Sequence, residues 1–251
     1  MEGVAASPNP WHPTLIQLQS ISSTQDWVRD WARMQAREGL ILTAREQTAG
    51  RGRLQRTWES PSGGLYLSLL LRPPIAADKA HQLIMLVSLA AIEACQQVAG
   101  VQPRPKWPND LLLEGKKLAG VLTELEITNA QLNYAIIGLG LNVNNHFEHG
   151  PLAQTATSLR MVTGKTWDVS QVRDAFIAAL GRWYARFRAG ESPVAAWAQN
   201  LEPIGRQVMV QQPARPPWQG RAVGVSPAGA LLVEDDDAQV HTIWAGDVMI
   251  I

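Results

Sequence analysis

Lys106-Trp-Pro-Asn-Asp-Leu-Leu-Leu-Glu-Gly-Lys-Lys-Leu-Ala-Gly-Val-Leu-Thr-Glu124 is the stretch from which the fold is read. Two aliphatic runs, Asp110–Leu113 and Lys117–Glu126, flank Glu114-Gly115-Lys116, which has the composition of a hairpin turn. Arg104–Trp107 before it and Tyr134–Asn142 after it read as further strands. Moving towards the N-terminus, Leu65–Leu71 is a strongly apolar strand ended by Pro73-Pro74, and Leu40–Arg45 is another. Between those two, Gln47–Gly64 is rich in Gly, Arg and Ser without apolar periodicity, so a loop is expected. Helices interleave with the strands. Ser23-Thr-Gln-Asp26 resembles a capping box, followed by Trp27, Val28, Trp31 and Met34 at helical spacing, with Gly39 as the stop. Asp78–Val98, Gln171–Arg188 and about Pro193–Asn200 read as helices as well.

After Pro203 the texture changes. Gln207–Val210, Gly220–Val225, Ala230–Glu234, Val240–Trp244 and Asp247–Ile251 are short strand-like runs separated by turn residues such as Pro216-Pro217 and Pro227-Ala-Gly229. Five short strands in about fifty residues predict a small β-barrel. The expected organisation is an N-terminal extension over 1–20, an α/β domain over 21–202 with a central mixed sheet flanked by helices, and a barrel over 203–251.

Composition narrows the function classes. A chain of 251 residues, 46% hydrophobic, can bury a sizeable core. Lys+Arg and Asp+Glu both total 22, so no global field draws the chain to nucleic acid or to an anionic membrane. The single cysteine, Cys95, forms no intrachain disulfide and suits a cytoplasmic protein. Met1–Pro13 holds three prolines and no apolar run, which does not describe a signal peptide. The longest apolar stretch, Leu83–Ile92, is far short of the roughly 18 residues of a membrane span and reads as a buried helix.

Three segments carry chemistry. In Gln47-Thr-Ala-Gly-Arg-Gly-Arg-Leu-Gln-Arg-Thr-Trp58, Arg51, Arg53 and Arg56 alternate with Gly50 and Gly52. Guanidinium forks match phosphate and carboxylate oxygens, and glycine lets backbone N–H groups approach an anion. By composition alone this is a solvated basic loop. It is not a dinucleotide fingerprint, which needs a third glycine and an immediate helix. Lys106 at a strand end, beside Trp107-Pro108, is the second signal; lysines there are usually only solvated. Gly138-Leu-Gly140-Leu-Asn142 is the third, and glycines in strands often mark only a bulge. Gly164-Lys165-Thr166 ends like a phosphate-binding loop, but Leu159 stands where glycine is required. His146 and His149 in a polar turn form no recognisable metal pattern, and no metal ligand is assigned.

Taken together, Ser23-Thr24, Gln47–Arg53 with Trp58, Lys106–Asp110, Lys117–Leu122 and Gly138–Asn142 resemble the biotin protein ligases, in this order and from about Ile21 to the C-terminus. The resemblance implies a mixed sheet flanked by helices, as in class II synthetase-like catalytic domains, followed by an SH3-like barrel. It also implies ATP-dependent formation of biotinyl-AMP and transfer of biotin to a lysine of a biotin carboxyl carrier protein, with ATP and Mg2+ required. Lys106, Arg51 and Arg53 would be catalytic. Ser23, Thr24, Gln25, Gln47, Gly50, Gly52, Gly120, Gly138 and Gly140 would join them around biotin. Arg53, Arg56, Trp58, Lys106, Asn109 and Asn142 would hold the nucleotide, with Trp58 against adenine. Two positions depart from the family: Gln25 replaces Asn, and Gln55 stands where Gly is frequent. Some members carry an N-terminal DNA-binding winged helix; the short segment before Ser22 leaves no room for one, so a monofunctional enzyme, binding neither specific DNA nor membrane, is expected. The resemblance leaves a homodimer open. A lipoate protein ligase shares this core and is the nearest enzyme alternative, and a non-catalytic binding protein on the same scaffold is the alternative of another class. The arginine loop, with mutual repulsion and few apolar anchors, is expected to be mobile until ligand orders it.

A gel-shift titration at physiological salt should show nothing tighter than non-specific binding, with Kd of roughly 10⁻⁴–10⁻⁶ M; a nanomolar, sequence-selective complex contradicts this.

Overall fold

The computed structural model describes residues 11–212 and 215–251. Strand β1 (Thr14–Ile21) leads into α1 (Thr24–Arg33) and β2 (Leu40–Gln47). β3 (Leu65–Leu71), α2 (Gln82–Ala99), β4 (Arg104–Lys106), β5 (Asp110–Leu113), β6 (Lys116–Thr128) and β7 (Gln131–Leu141) follow. They make one seven-stranded sheet in the order β1-β2-β3-β7-β6-β5-β4, parallel only between β1 and β2. The hairpin at Glu114-Gly115 forms as its composition predicts. Both residues take positive φ, 52° and 75°, the backbone of a two-residue turn that matches strand twist.

The pleat divides the sheet into two faces. Leu65, Leu67, Leu69 and Leu71 of β3 join Ile137 and Leu139 of β7 in the main core with α2. On the other face Leu42, Leu70 and Ile136 pack with Val28 and Ala32 of α1. Of the helical run in α1, only Val28 is fully covered; Trp27 and Met34 are exposed. α2 has the length and composition of a membrane span, yet Leu83, Leu86, Val87, Ala90 and Ala94 are enclosed in the core. It packs on α4 (Val169–Arg188), which is preceded by the short α3 (Leu159–Thr163) and followed by α5 (Val194–Ala198).

β8 (Gln207–Gln211), β9 (Trp218–Val225), β10 (Leu231–Glu234), β11 (Val240–Ile243) and β12 (Asp247–Ile250) form an antiparallel sheet ordered β11-β10-β9-β8-β12. Strand number and order fit an SH3-like barrel, although among the described residues β11 and β12 do not pair to close it. Val208, Val210, Leu231 and Val248 share the main core with the larger sheet.

Three expectations change. The segment assigned as an extension before residue 21 contains β1, hydrogen-bonded along β2, and a buried Trp11. Its Thr-Leu-Ile-Gln-Leu-Gln-Ser-Ile run alternates only weakly, because an edge strand is half solvated. The α2 segment opens as a separate 3₁₀ turn at Ala77–Lys79. Ser23 occupies the N-cap of α1, but its side chain makes no cap bond and Asp26 pairs with arginines instead.

Leu69 is fully buried in a central strand. Leu69→Ala should lower unfolding stability by about 2–5 kcal/mol through lost burial and a residual cavity, read from urea denaturation.

Candidate active site

Strand register builds the site. Lys106 lies opposite Asp110, Asp110 opposite Gly120, Gly120 opposite Gly140 and Gly140 opposite Tyr66, a single row across β4, β5, β6, β7 and β3. In the next row Leu122, Gly138 and Ser68 are aligned. The glycines in these rows keep the sheet surface clear. A Cβ on Gly140 would come within 2.4 Å of the Trp58 indole, and one on Gly120 within 3.1 Å. Trp58 therefore seats its ring against the glycine row, with the Lys117 ammonium 5.3 Å from the ring centroid and 2.7 Å from Asp110. Above the row opens a cavity of about 380 Å³.

One end of the cavity is polar and closed. Ser23, Thr24 and Gln25 line it from the start of α1, Gln47 from the end of β2 and Ser68 from β3. Gln47 Oε1 accepts the Thr24 N–H at 2.8 Å, while Gln47 Nε2 donates to Ser60 at 2.9 Å. The Thr24 and Ser68 hydroxyls are 2.8 Å apart, and Ser68 donates to Gln25 Oε1 at 3.0 Å. Gln25 Nε2 donates to the Ile136 carbonyl at 3.2 Å. The arm of Gln25 fits because residue 138 is glycine; a Cβ there would meet Gln25 Oε1 at 2.7 Å. Hydroxyls and carboxamides held this way can match a ring bearing both N–H and C=O groups.

The arginine loop and Lys106 bring the cations to the rim. Arg51 pairs with Asp26 at 2.7 Å and Glu124 at 2.9 Å. Arg53 donates to Asn109 Oδ1 at 3.0 Å and to the Gly246 carbonyl at 3.2 Å, and lies 3.6 Å from Asp247. Arg56 reaches Asp247 at 2.6 Å. Among the described residues lining the cavity, Lys106 is the one cation whose side chain makes no hydrogen bond or ion pair. Ion pairs thus tether the arginine loop at both ends. Its sequence shows only mutual repulsion; the compensating acids come from α1, β6 and β12. Between the tethers Leu54 and Gln55 adopt positive φ, 54° and 59°. For Gln55, where the family often has glycine, that conformation costs about 1–2 kcal/mol.

Two residues assigned to ligands do not line the cavity. Gly50 is packed under the loop, where a Cβ would meet the Trp58 carbonyl at 2.4 Å. Asn142, just past the end of β7, is buried, with its Nδ2 donating to the Thr157 carbonyl at 3.0 Å. Ser23, Thr24, Gln25, Gln47, Arg51, Gly52, Arg53, Arg56, Trp58, Lys106, Asn109, Gly120, Gly138 and Gly140 all line it. Sequence reading missed Ser68, Asp110, Lys117, Gln211 and Asp247. Ser68 had a signal, as the lone serine in the apolar run Leu65–Leu71, whereas Asp247 had none. Tyr66, at the end of the glycine row, donates to the Pro61 carbonyl and accepts from Asn145; burial pushes its phenol up to about 12, so it stays neutral.

A seven-stranded mixed sheet carrying a glycine-floored, cation-rimmed cavity, joined to a five-stranded C-terminal sheet, is a known class of α/β ligase. Residues 17–142 match the biotin/lipoate A/B protein ligase family, and residues 204–250 match the biotin protein ligase C terminal domain. The chain belongs to the biotin/lipoate A/B protein ligase family. It is 35% identical to the bifunctional ligase/repressor BirA of Bacillus spizizenii, over 93% of this chain and 73% of that protein. It is 32% identical to the biotin–[acetyl-CoA-carboxylase] ligase of Paracoccus denitrificans, over 76% of this chain and 82% of that protein. The structure of the Aquifex aeolicus biotin protein ligase in complex with biotin and ATP superimposes with a TM-score of 0.79 at 30% identity, covering 94% of this chain and 98% of that one.

Gly140→Ala must displace the Trp58 ring and should cost about 1–3 kcal/mol by overpacking. In a Trp58→Ala background the same substitution should be nearly neutral, and denaturation midpoints of the four proteins check the coupling.

Proposed function

We propose that this protein is a biotin protein ligase that activates biotin with ATP and transfers it to a lysine of an acceptor protein. One juxtaposition carries the reading: a polar, hydrogen-bonding region and a cationic rim lie in the same cavity, joined by an apolar wall at Leu122. The polar end suits the ureido ring of biotin, whose N–H and C=O groups can bond the hydroxyls and amides there, whereas the dithiolane of lipoate offers them no such groups. The apolar wall suits an aliphatic chain, whose carboxylate then points to the cations.

Biotin carboxylate and ATP repel each other, so the site must neutralise charge and hold the reactants in line. A carboxylate oxygen forms the new bond to the α-phosphorus while the bond to the β,γ-pyrophosphate oxygen breaks and pyrophosphate leaves. The acceptor amine then attacks the acyl carbon, AMP departs with the bonding pair, and the amine loses its proton. Lys106 is suited to span the carboxylate and α-phosphate oxygens, because its ammonium is not committed to a protein anion. Arg53 and Arg56 face the phosphates, and Trp58 offers adenine a ring already fixed against glycine. Mg2+ would enter with the phosphates of ATP. The lining carboxylates Asp110 and Asp247 are engaged by Lys117 and Arg56, and among the described residues no cluster of three His, Cys, Asp or Glu side chains could hold a metal. No step is therefore assigned to it.

The acceptor in this reading is the carrier domain of a biotin-dependent carboxylase; the Paracoccus denitrificans relative is named for acetyl-CoA carboxylase. A cytoplasmic setting fits a sequence whose one cysteine, Cys95, forms no intrachain disulfide.

Pyrophosphate release measured with biotin and with lipoate tests the reading, and the activity should depend on biotin. Lys106→Ala should lose about 10²–10³ in the rate of biotinyl-AMP formation while its thermal midpoint stays near the parent. A folded variant with parental rate removes Lys106 from the mechanism.

A further inference from the structure

We infer that Asp26 and Glu124 form an ionic latch that holds the arginine loop over the cavity through Arg51, which makes Arg51 a positioning residue rather than an anion-binding one. The two carboxylates come from separate walls. Asp26 is in the first turn of α1, the turn that presents Thr24 and Gln25 to the cavity. Glu124 lies two residues beyond Leu122 in β6, opposite Ile136 and so on the face that α1 covers. Arg29, one turn along α1 from Asp26, clasps Glu124 with two bonds of 2.6 and 2.7 Å and Asp26 with a third of 2.8 Å. That brace sets both carboxylates in place, and Arg51 completes it at 2.7 and 2.9 Å. α1, β6 and the loop are tied at one point.

Charge balance separates Arg51 from the other arginines of the loop. At the latch two guanidinium groups meet two carboxylates, so the cluster is neutral and leaves no charge for a substrate anion. On either side of the Leu54-Gln55 turn, Arg53 and Arg56 share the single carboxylate of Asp247, leaving one uncompensated positive charge, and unpaired Lys106 adds a second. An incoming carboxylate or phosphate is drawn to that end, while the latch seats the loop against α1 and β6.

The latch joins protein groups only, so its test needs no turnover. Limited trypsinolysis of the full chain without ligand reads loop opening as cleavage after Arg53 and Arg56, with cleavage after Arg182 in α4 as the control for global unfolding. Arg51→Gln and Glu124→Gln should each speed loop cleavage about three- to tenfold, the change expected from losing a partly exposed, networked ion pair, and leave cleavage at Arg182 unchanged. The double variant should be no faster than the faster single one, because both changes break the same contact. If Glu124→Gln opens α4 too, the cycle is run with Asp26→Asn. Loop cleavage at the parental rate in the single variants, or effects that multiply in the double variant, would overturn the latch. Neither result bears on the ligase reading, which stands or falls on biotin-dependent pyrophosphate release.

Discussion

A strand paired on both edges cannot slip by one residue without sending every side chain to the opposite face. β7 is in that position, bonded to β3 along Ala135–Leu141 and to β6 along nearly its whole length. The alternation of its residues is therefore locked by two partners and by a hydrophobic core that takes Ile137 and Leu139. Gly138 and Gly140 are held to the opposite face, the one on which Gln25 and Trp58 lie. Every other piece of the cavity is placed relative to that surface. Were β7 shifted by one residue, Leu139 would stand where Trp58 and Gln25 now approach the sheet, and the site could not exist.

Electrostatics supplies the second layer. A site that gathers two anionic substrates needs positive charge, and positive charge in a short loop repels itself. The fold resolves this by spreading the counter-charges among elements remote in sequence: Asp26 from α1, Glu124 from β6 and Asp247 from β12. Individually such pairs, a third or so exposed, contribute at most about 1 kcal/mol. Their larger effect is on loop geometry, which holds Leu54 and Gln55 in a conformation that neither residue favours. The pairing is also uneven. It balances charge beside the first turn of α1 and leaves it in excess beside Lys106, so the loop presents a gradient of positive potential along the cavity instead of a uniform basic patch.

The five-stranded sheet is part of this arrangement and not an appendage. Its valines continue the main core, and the Gly246 carbonyl and Asp247 carboxylate meet the arginine loop directly. Gln211, Val248 and Met249 complete the cavity wall. Any movement of that sheet relative to the large one is felt at Arg53 and Arg56, which are also the cations with charge to spare.

By itself the sequence determined the alternation of helices and strands, the hairpin at Glu114-Gly115, the change of texture after Pro203 and the family resemblance. Those features are written in local periodicity, turn composition and contiguous motifs, which need only neighbouring residues to be read. Half of the residues that line the cavity were legible for the same reason, since they lie in short, distinctive segments. Tertiary structure alone decided what those residues touch. β1 was invisible because a half-solvated edge strand has a diluted pattern. Asn142 sits in a motif yet faces Thr157, because a motif does not record which way the chain turns at a strand end. Ser68 and Asp247 enter the cavity through register and through packing of one sheet on another. Arg51 reads as one of several equivalent cations until Asp26 and Glu124 are brought beside it. Coulombic partners act through space over a few ångströms, and only the folded chain sets which charges stand that close.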